Sequence, residues 1–409
     1  MTRAPHQPGR SPRLPDGAAF AVVAASLVLV FLSSGTPIPV YNTYRAEDGV
    51  TASGLAITTV VYLATTAAAL LTTGRLSNHL GRRPVAVGAV LAAALGCVVL
   101  MNVHGLGTLM TGRVLQGIAC GVASSALGSY VLDTAPPRPL WLGAVITGSA
   151  PAFAIPVGAL ASGALVQYGP APRVLVYAIV ATVLAILAGL LLACPETVRR
   201  APGALASLRP RVHVPHGQGR TLFAVGACLV ATWSFTGFYQ AFSPVVTADE
   251  LGTDNALVVA VVFASVIILS PLGGSLMGRL QPANAVRTGL VIFVLATLAV
   301  LGALQVASIG WFLAASFVAG VAQGGANTGG MRAILTGANP ADRAGLLATV
   351  YLISYTGAAA PGLVAGRVAA FLPPDRIALG YGVLVLVASG IAVLMLRNQQ
   401  HARPGGRAR

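Results

Sequence analysis

Long uncharged apolar blocks alternate with short polar ones along this chain. Residues 52–73 and 85–103 are two such blocks joined by about ten residues, and each is long enough to cross the ~30 Å hydrocarbon core of a bilayer as a helix. Counting blocks of about 20 residues places spans at roughly 18–44, 52–73, 85–103, 106–131, 140–166, 174–194, 221–246, 255–277, 288–307, 310–335, 344–371 and 377–396. Twelve helices are therefore expected. The first block is too long for the apolar core of a signal peptide and ends in Pro37-Ile38-Pro39-Val40-Tyr41 instead of a small-residue cleavage site, so it predicts a helix broken near its far end.

The polar segments set the organisation. Residues 1–17 carry four prolines and three arginines and predict a disordered lead. Connections are short except for Pro195 to Arg220, with five arginines and four prolines, which divides the chain into a six-helix set at 18–194, a linker at 195–220 and a second set at 221–396, followed by a tail at 397–409.

Composition fixes the class as an all-α membrane protein. Of the 409 residues 56% are hydrophobic and 9% charged, against about 25% charged in a soluble domain, and the mean hydropathy is +0.81. A net charge of +15 raises the question of nucleic acid, but a nucleic-acid binder gathers its basic residues on one solvated face with aromatics between, whereas here they mark loops. All 25 basic residues are arginine, so Walker-type ATP hydrolysis and lysine Schiff-base chemistry are excluded, and no Gly-x-Ser-x-Gly elbow occurs. Cys97, Cys120, Cys194 and Cys228 have no Cys-x-x-Cys spacing and read as packing residues. His213-x-x-His216 lies in the linker and reads as solvated side chains. Neither a metal nor a cofactor is implied.

Arginine placement orients the spans. Loop arginines favour the cytoplasmic side. With both termini and the linker placed there, 20 of the 25 fall inside, four (Arg45, Arg173, Arg367, Arg376) fall outside, and Arg113 lies within a span. Shifting the count by one span scrambles this separation. A multi-pass protein of the cell's inner membrane, with both ends cytoplasmic, is the expectation.

The chain also repeats itself. Pro39 matches Pro244 at an offset of 205, Gly74-Arg75-Leu76 matches Gly278-Arg279-Leu280 at 204, Gln116-Gly117 matches Gln323-Gly324 at 207, and Pro156 matches Pro361 at 205. Two sets of six helices in the same orientation follow. Each repeats a small-residue face, Gly117 with Gly121 and Gly320 with Gly324, suited to close helix packing.

Three stretches carry a resemblance. Gly74 to Arg83 places a glycine, a polar residue four positions on at Asn78, a basic residue, then Gly81, Arg82 and Arg83 between the second and third spans. Arg113-x-x-Gln116-Gly117 lies in the fourth span, and Pro340-Ala341-Asp342-Arg343-Ala344-Gly345 precedes the eleventh. Together they resemble the major facilitator superfamily over essentially the whole chain, most closely its twelve-helix drug:proton antiporter branch. The resemblance implies two pseudo-symmetric six-helix bundles around a substrate site near the midplane, with the helix-4 motif linked to proton transfer. Asn78 stands where that family has aspartate and His79 where it has arginine, and Ile155 stands where glycine precedes the fifth-span proline.

Candidate residues follow in two groups. A charged side chain within a span is disfavoured and usually faces a cavity or partner, which singles out Arg113; snorkelling toward the near surface is the structural alternative. In the family, helices 1, 4, 7 and 10 line the path, so the cavity candidates are Thr36, Tyr41, Arg113, Gln116, Trp233, Thr236, Tyr239, Gln240, Gln323 and Asn327, each equally open to helix packing. Trp233 sits mid-span, whereas Trp141 and Trp311 sit at span ends as interface anchors do. The gating candidates are Gly74, Asn78, Gly81, Arg82, Arg83, Asp133, Pro156 and Pro361. Arg82 or Arg83 can reach Asp133 to form a latch that opens and closes with conformation.

All ten carboxylates lie at span ends or in loops. The expected function is secondary active transport of a small organic solute by a monomer in the lipid bilayer, through alternating access, as efflux of drugs or metabolites in exchange for protons. Uptake or facilitated diffusion of a sugar-like nutrient is the rival reading, favoured by the acid-free interior. A transport-inactive sensor or scaffold calls for soluble partner-binding regions, for which only the linker and two short tails are available.

Overall fold

The computed structural model describes residues 14–210, 219–336, 339 and 343–401. His213, His216, the first 13 residues and positions 340–342 of the motif before the eleventh span lie outside the described residues. Among those described there is no strand, and twelve helices are long and apolar enough to cross a membrane: α1 Asp16–Asp48, α2 Ala52–Thr73, α3 Arg82–Leu100, α4 Leu106–Thr134, α5 Leu142–Tyr168, α6 Leu175–Leu192, α7 Gly219–Asp249, α8 Ala256–Met277, α9 Pro282–Gln305, α10 Ile309–Leu335, α11 Gly345–Val368 and α12 Pro374–Arg397. Apolar length located all twelve, with ends displaced by a few residues.

Packing within the first six helices is mirrored in the last six. The pairs α1/α5, α2/α4, α3/α4 and α3/α6 correspond to α7/α11, α8/α10, α9/α10 and α9/α12. The two sets meet along α2/α11 and α5/α8. Glycines allow the closest crossings. A Cβ on Gly117 or Gly121 would run into α2, and one on Gly320 or Gly324 would strike the α8 backbone at Val266 and Ser270.

Two helices are interrupted, and proline accounts for each. In α1 the helix stops at Gly35, a 3₁₀ turn spans Ile38–Val40, and helix resumes at Tyr41. Pro37 has no N–H for the Ser33 carbonyl and Pro39 none for that of Gly35. The α8 interruption was not anticipated, since 255–277 reads as one apolar run. There the helix pauses between Ser265 and Ser270, with Pro271 at the start of its second piece. Ser270 N–H donates to Ile267 (2.9 Å), one residue short of the α-helical partner, so the Val266 carbonyl is released from the helical ladder.

Candidate functional site

Released carbonyls at the two breaks attract the buried polar side chains of α4 and α10. Gln116 Nε2 donates to Ser33 O (2.7 Å), Arg113 Nη1 donates to Ser34 O (2.7 Å) and to Gln116 Oε1 (2.9 Å), and Ser162 on α5 donates to Thr36 O (2.6 Å). The α1 break is thus stapled from two neighbouring helices. In the second half Gln323 Nε2 donates to Val266 O (2.5 Å), while its Oε1 accepts from Thr236 Oγ1 (3.2 Å). The repeat is chemical but not positional: Gln116 reaches α1, and its counterpart Gln323 reaches α8.

Arg113 is wholly buried, at 0% exposure. Its guanidinium carbon lies 4.1 Å from the centroid of the Tyr62 ring on α2, and its Nε and Nη2 have no hydrogen-bond partner. The snorkelling alternative is not what the side chain does, for it is folded inward among α1, α2 and α4. Thr36 and Tyr41 are likewise fully buried on α1.

The second-half candidates form a separate group. Thr232 donates to Asn327 Oδ1 (2.9 Å), and the Tyr239 and Ser316 hydroxyls lie 2.5 Å apart. Gln240 is 5% exposed. Trp233 stands edge-on to Tyr355 of α11 with ring centroids 5.2 Å apart. Tyr355 stands on α11, which packs against α2, the helix that carries Tyr62, where the two halves meet. Tyr62 and Tyr355 lie on α2 and α11, outside helices 1, 4, 7 and 10 from which the sequence candidates come. Tyrosine at mid-span, away from the interfacial belts where it is usual, was the available signal.

The gating candidates assemble at the linker end of the first half. Arg82 Nε donates to Asp133 Oδ2 (3.0 Å), and Arg82 Nη1 to Asn78 Oδ1 (2.6 Å) and Ser77 Oγ (2.7 Å). Arg83 Nη1 instead holds the Leu192 and Cys194 carbonyls (3.0 and 3.3 Å). Glu196, which sequence reasoning passed over, is the hub: its carboxylate accepts the backbone N–H groups of Arg82 (2.7 Å) and Arg83 (3.1 Å) at the α3 N-terminus. A negative charge there favours the helix dipole, which Asn78 cannot do. Gly81 has φ +100°, and a Cβ would collide with Glu196 Oε2. Gly74 ends α2 in right-handed conformation, and Pro156 and Pro361 lie inside α5 and α11.

At the opposite, distal end the halves are fastened to each other. Arg45 on α1 pairs with Asp249 on α7 (3.1 Å), Asn42 Nδ2 donates to Pro244 O (3.1 Å), Ser53 donates to Gly366 O between α2 and α11, and Ala256 N–H donates to Gln167 Oε1 between α8 and α5 (3.0 Å). Nearby Arg173 pairs with Glu47 and Asp48 (2.6 Å each). Burial works against the charge of Arg173, but those two carboxylates outweigh it and hold the guanidinium above its ordinary pKa. The described carboxylates all stand at helix ends or in connections.

The comparisons with known proteins agree with this architecture. A family model described as Major Facilitator Superfamily matches residues 23–361. The Klebsiella pneumoniae (strain 342) multidrug resistance protein MdtL is 28% identical over 302 residues, 68% of this chain and 72% of that protein. A uridine/deoxyuridine transporter of Lactococcus lactis subsp. cremoris is 32% identical over 106 residues, and the match spans 25% of this chain and 22% of that relative. Among solved structures, a bacterial homologue of the human lysosomal transporter Spinster, inward-facing and occupied, superposes with a TM-score of 0.71 at 15% identity over 97% of this chain and 100% of that one.

Proposed function

The chain belongs to the major facilitator superfamily, whose members here matched are transporters, and we propose that it exports a small organic solute across the inner membrane by alternating access, in exchange for protons. The proposal extends to a monomer with linker and both ends on the cytoplasmic side. The observation that carries it is where, among the described residues, hydrogen bonds and ion pairs fasten the halves to each other. Hydrogen bonds and an ion pair join α1 to α7, α2 to α11 and α5 to α8 at the distal end, while the linker-end network of Arg82, Asp133 and Glu196 lies within the first half and the linker. Among the described residues this fastening stands at the distal end, as one state of a rocking transporter requires. With the linker cytoplasmic, the state is open to the inside.

Export draws support from the similarity to MdtL and from the proline break in α1; α5, expected to be broken as well, runs as one helix through Pro151 and Pro156. The midplane offers Trp233, Tyr355, Tyr62, Thr236, Gln323 and Asn327 as contacts for a solute with an apolar body and a few hydrogen-bonding groups. A solute screen in inside-out vesicles, with and without an imposed pH gradient, tests the reading. Proton exchange predicts accumulation that collapses when the gradient is dissipated. A second reading, facilitated passage of a nutrient with no coupled ion, is favoured by the position of the carboxylates, and predicts flux indifferent to the gradient.

A further inference from the structure

We propose that Arg113 anchors an anion site and that the cargo is an organic carboxylate with an apolar or aromatic body, an inference that rests on the transporter reading and names its substrate class. The guanidinium is fully buried, and one nitrogen, Nη1, is committed to Ser34 O and Gln116 Oε1. The other edge, Nε with Nη2, is buried and unpaired. That edge is the side-on fork, two parallel N–H donors at the spacing of a carboxylate's two oxygens. A buried cation needs a counter-charge, and a half-satisfied guanidinium is among the costliest groups to leave in an apolar interior. No described carboxylate is placed to supply it, for each stands at a helix end or in a connection. The missing charge therefore arrives with the cargo.

The surroundings fit such a molecule. The Tyr62 ring covers one face of the guanidinium, and across the seam Tyr355 and Trp233 present an edge-on aromatic pair at mid-span. Arg113 stands seven residues into α4, about 10 Å from its distal end at ~1.5 Å per residue, on the fastened side of that aromatic level. A carboxylate entering from the linker end meets the aromatic rings first and the fork last. A monoanion leaving the cell is also driven outward by the inside-negative potential, so its export does not require an interior carboxylate to carry a proton.

The test is equilibrium binding of radiolabelled benzoate to the full-length protein in lipid nanodiscs, in competition with benzamide and benzylamine, for the wild type and for Arg113→Gln and Arg113→Lys. The wild type is expected to hold benzoate at least tenfold tighter than benzamide. Arg113→Gln should abolish that preference by bringing benzoate affinity down to that of benzamide, and Arg113→Lys, which keeps the charge but loses the fork, should retain only part of it. A purely structural Arg113 that staples the α1 break would lower all three affinities together, and that outcome overturns the proposal. So does a wild type that binds benzamide or benzylamine as well as benzoate, or that binds no benzoate, and neither result depends on a variant folding. Wild-type protein that moves neutral or cationic members of the vesicle screen and rejects benzoate removes the anion site and leaves the transporter reading standing; a screen in which nothing moves removes the transporter reading instead.

Discussion

Two glutamines do the same job at different addresses. Gln116 and Gln323 each donate to a carbonyl that a proline break has released, Ser33 O in α1 and Val266 O in α8. Leaving a buried acceptor unpaired costs about 1–3 kcal/mol. Gln323→Ala is expected to destabilise by that amount, read as a lowered midpoint of thermal unfolding in detergent, and Gln116→Ala by less, because Thr36 Oγ1 also donates to Ser33 O (2.8 Å); removal of the partly buried Asn327 partner of Thr232 should likewise cost less. Gly81 is constrained twice, by φ +100° and by Glu196 Oε2. Gly81→Ala should cost about 1–3 kcal/mol, and adding Glu196→Ala should not restore stability, because the backbone strain stays and the carboxylate that accepts the Arg82 and Arg83 N–H groups is lost. Full recovery in the double variant would show that φ is unimportant. The sequence marked Gly81 and Gln116 as special but gave no hint of their partners, because Glu196 lies 115 positions away from Gly81, and Ser33 lies 83 positions from Gln116.

At the scale of elements, apolar length alone located twelve helices, since a bilayer forces every backbone group to be satisfied within its own segment. The α1 break was legible because two prolines flank Ile38. The α8 break was not, since Pro271 sits among small and apolar residues where a proline is often tolerated in a membrane helix, and the release of Val266 O depends on α10 supplying Gln323. The linker-end cluster was half legible. The positions at adjoining helix ends offer Asp133 to Arg82 or Arg83 without choosing between them, and the tie of Glu196 to the α3 N-terminus is tertiary. That tie alters the expected result of a charge exchange. Arg82 also holds Ser77 and Asn78, and Asp133 also accepts from Thr197 (2.9 Å). Exchanging Arg82→Asp with Asp133→Arg restores the ion pair and none of the other contacts, so transport in vesicles should return only in part, above either single variant and below the wild type. Complete recovery would mean that the ion pair alone sets the latch.

For the whole molecule the question is what holds the distal end shut. Four points of contact join the halves there, and only Arg45 with Asp249 is an ion pair, with side chains 27% and 41% exposed. A pair that open to water is worth about 0.5–1 kcal/mol, which multiplies the ratio of open to closed states by about two to five when it is lost. The remaining contacts are backbone-directed and survive its removal, so the closed state should persist as the major one. Spin labels on cysteines placed at the exposed positions Ala46 and Asp254, on opposite halves, read this directly. The four native cysteines are buried, and burial also raises the pKa of the Cys194 thiol, so labelling should be confined to the introduced sites. Asp249→Ala and Arg45→Ala should each add a longer-distance component of similar size, and the exchanged pair Arg45→Asp with Asp249→Arg should remove most of it. Unchanged distances in both single variants would place the closure in the helix crossings themselves, where Gly163 meets Ala256 and Ala260 and Gly366 meets Ala56, and the ion pair would then be a consequence of closure and not one of its causes.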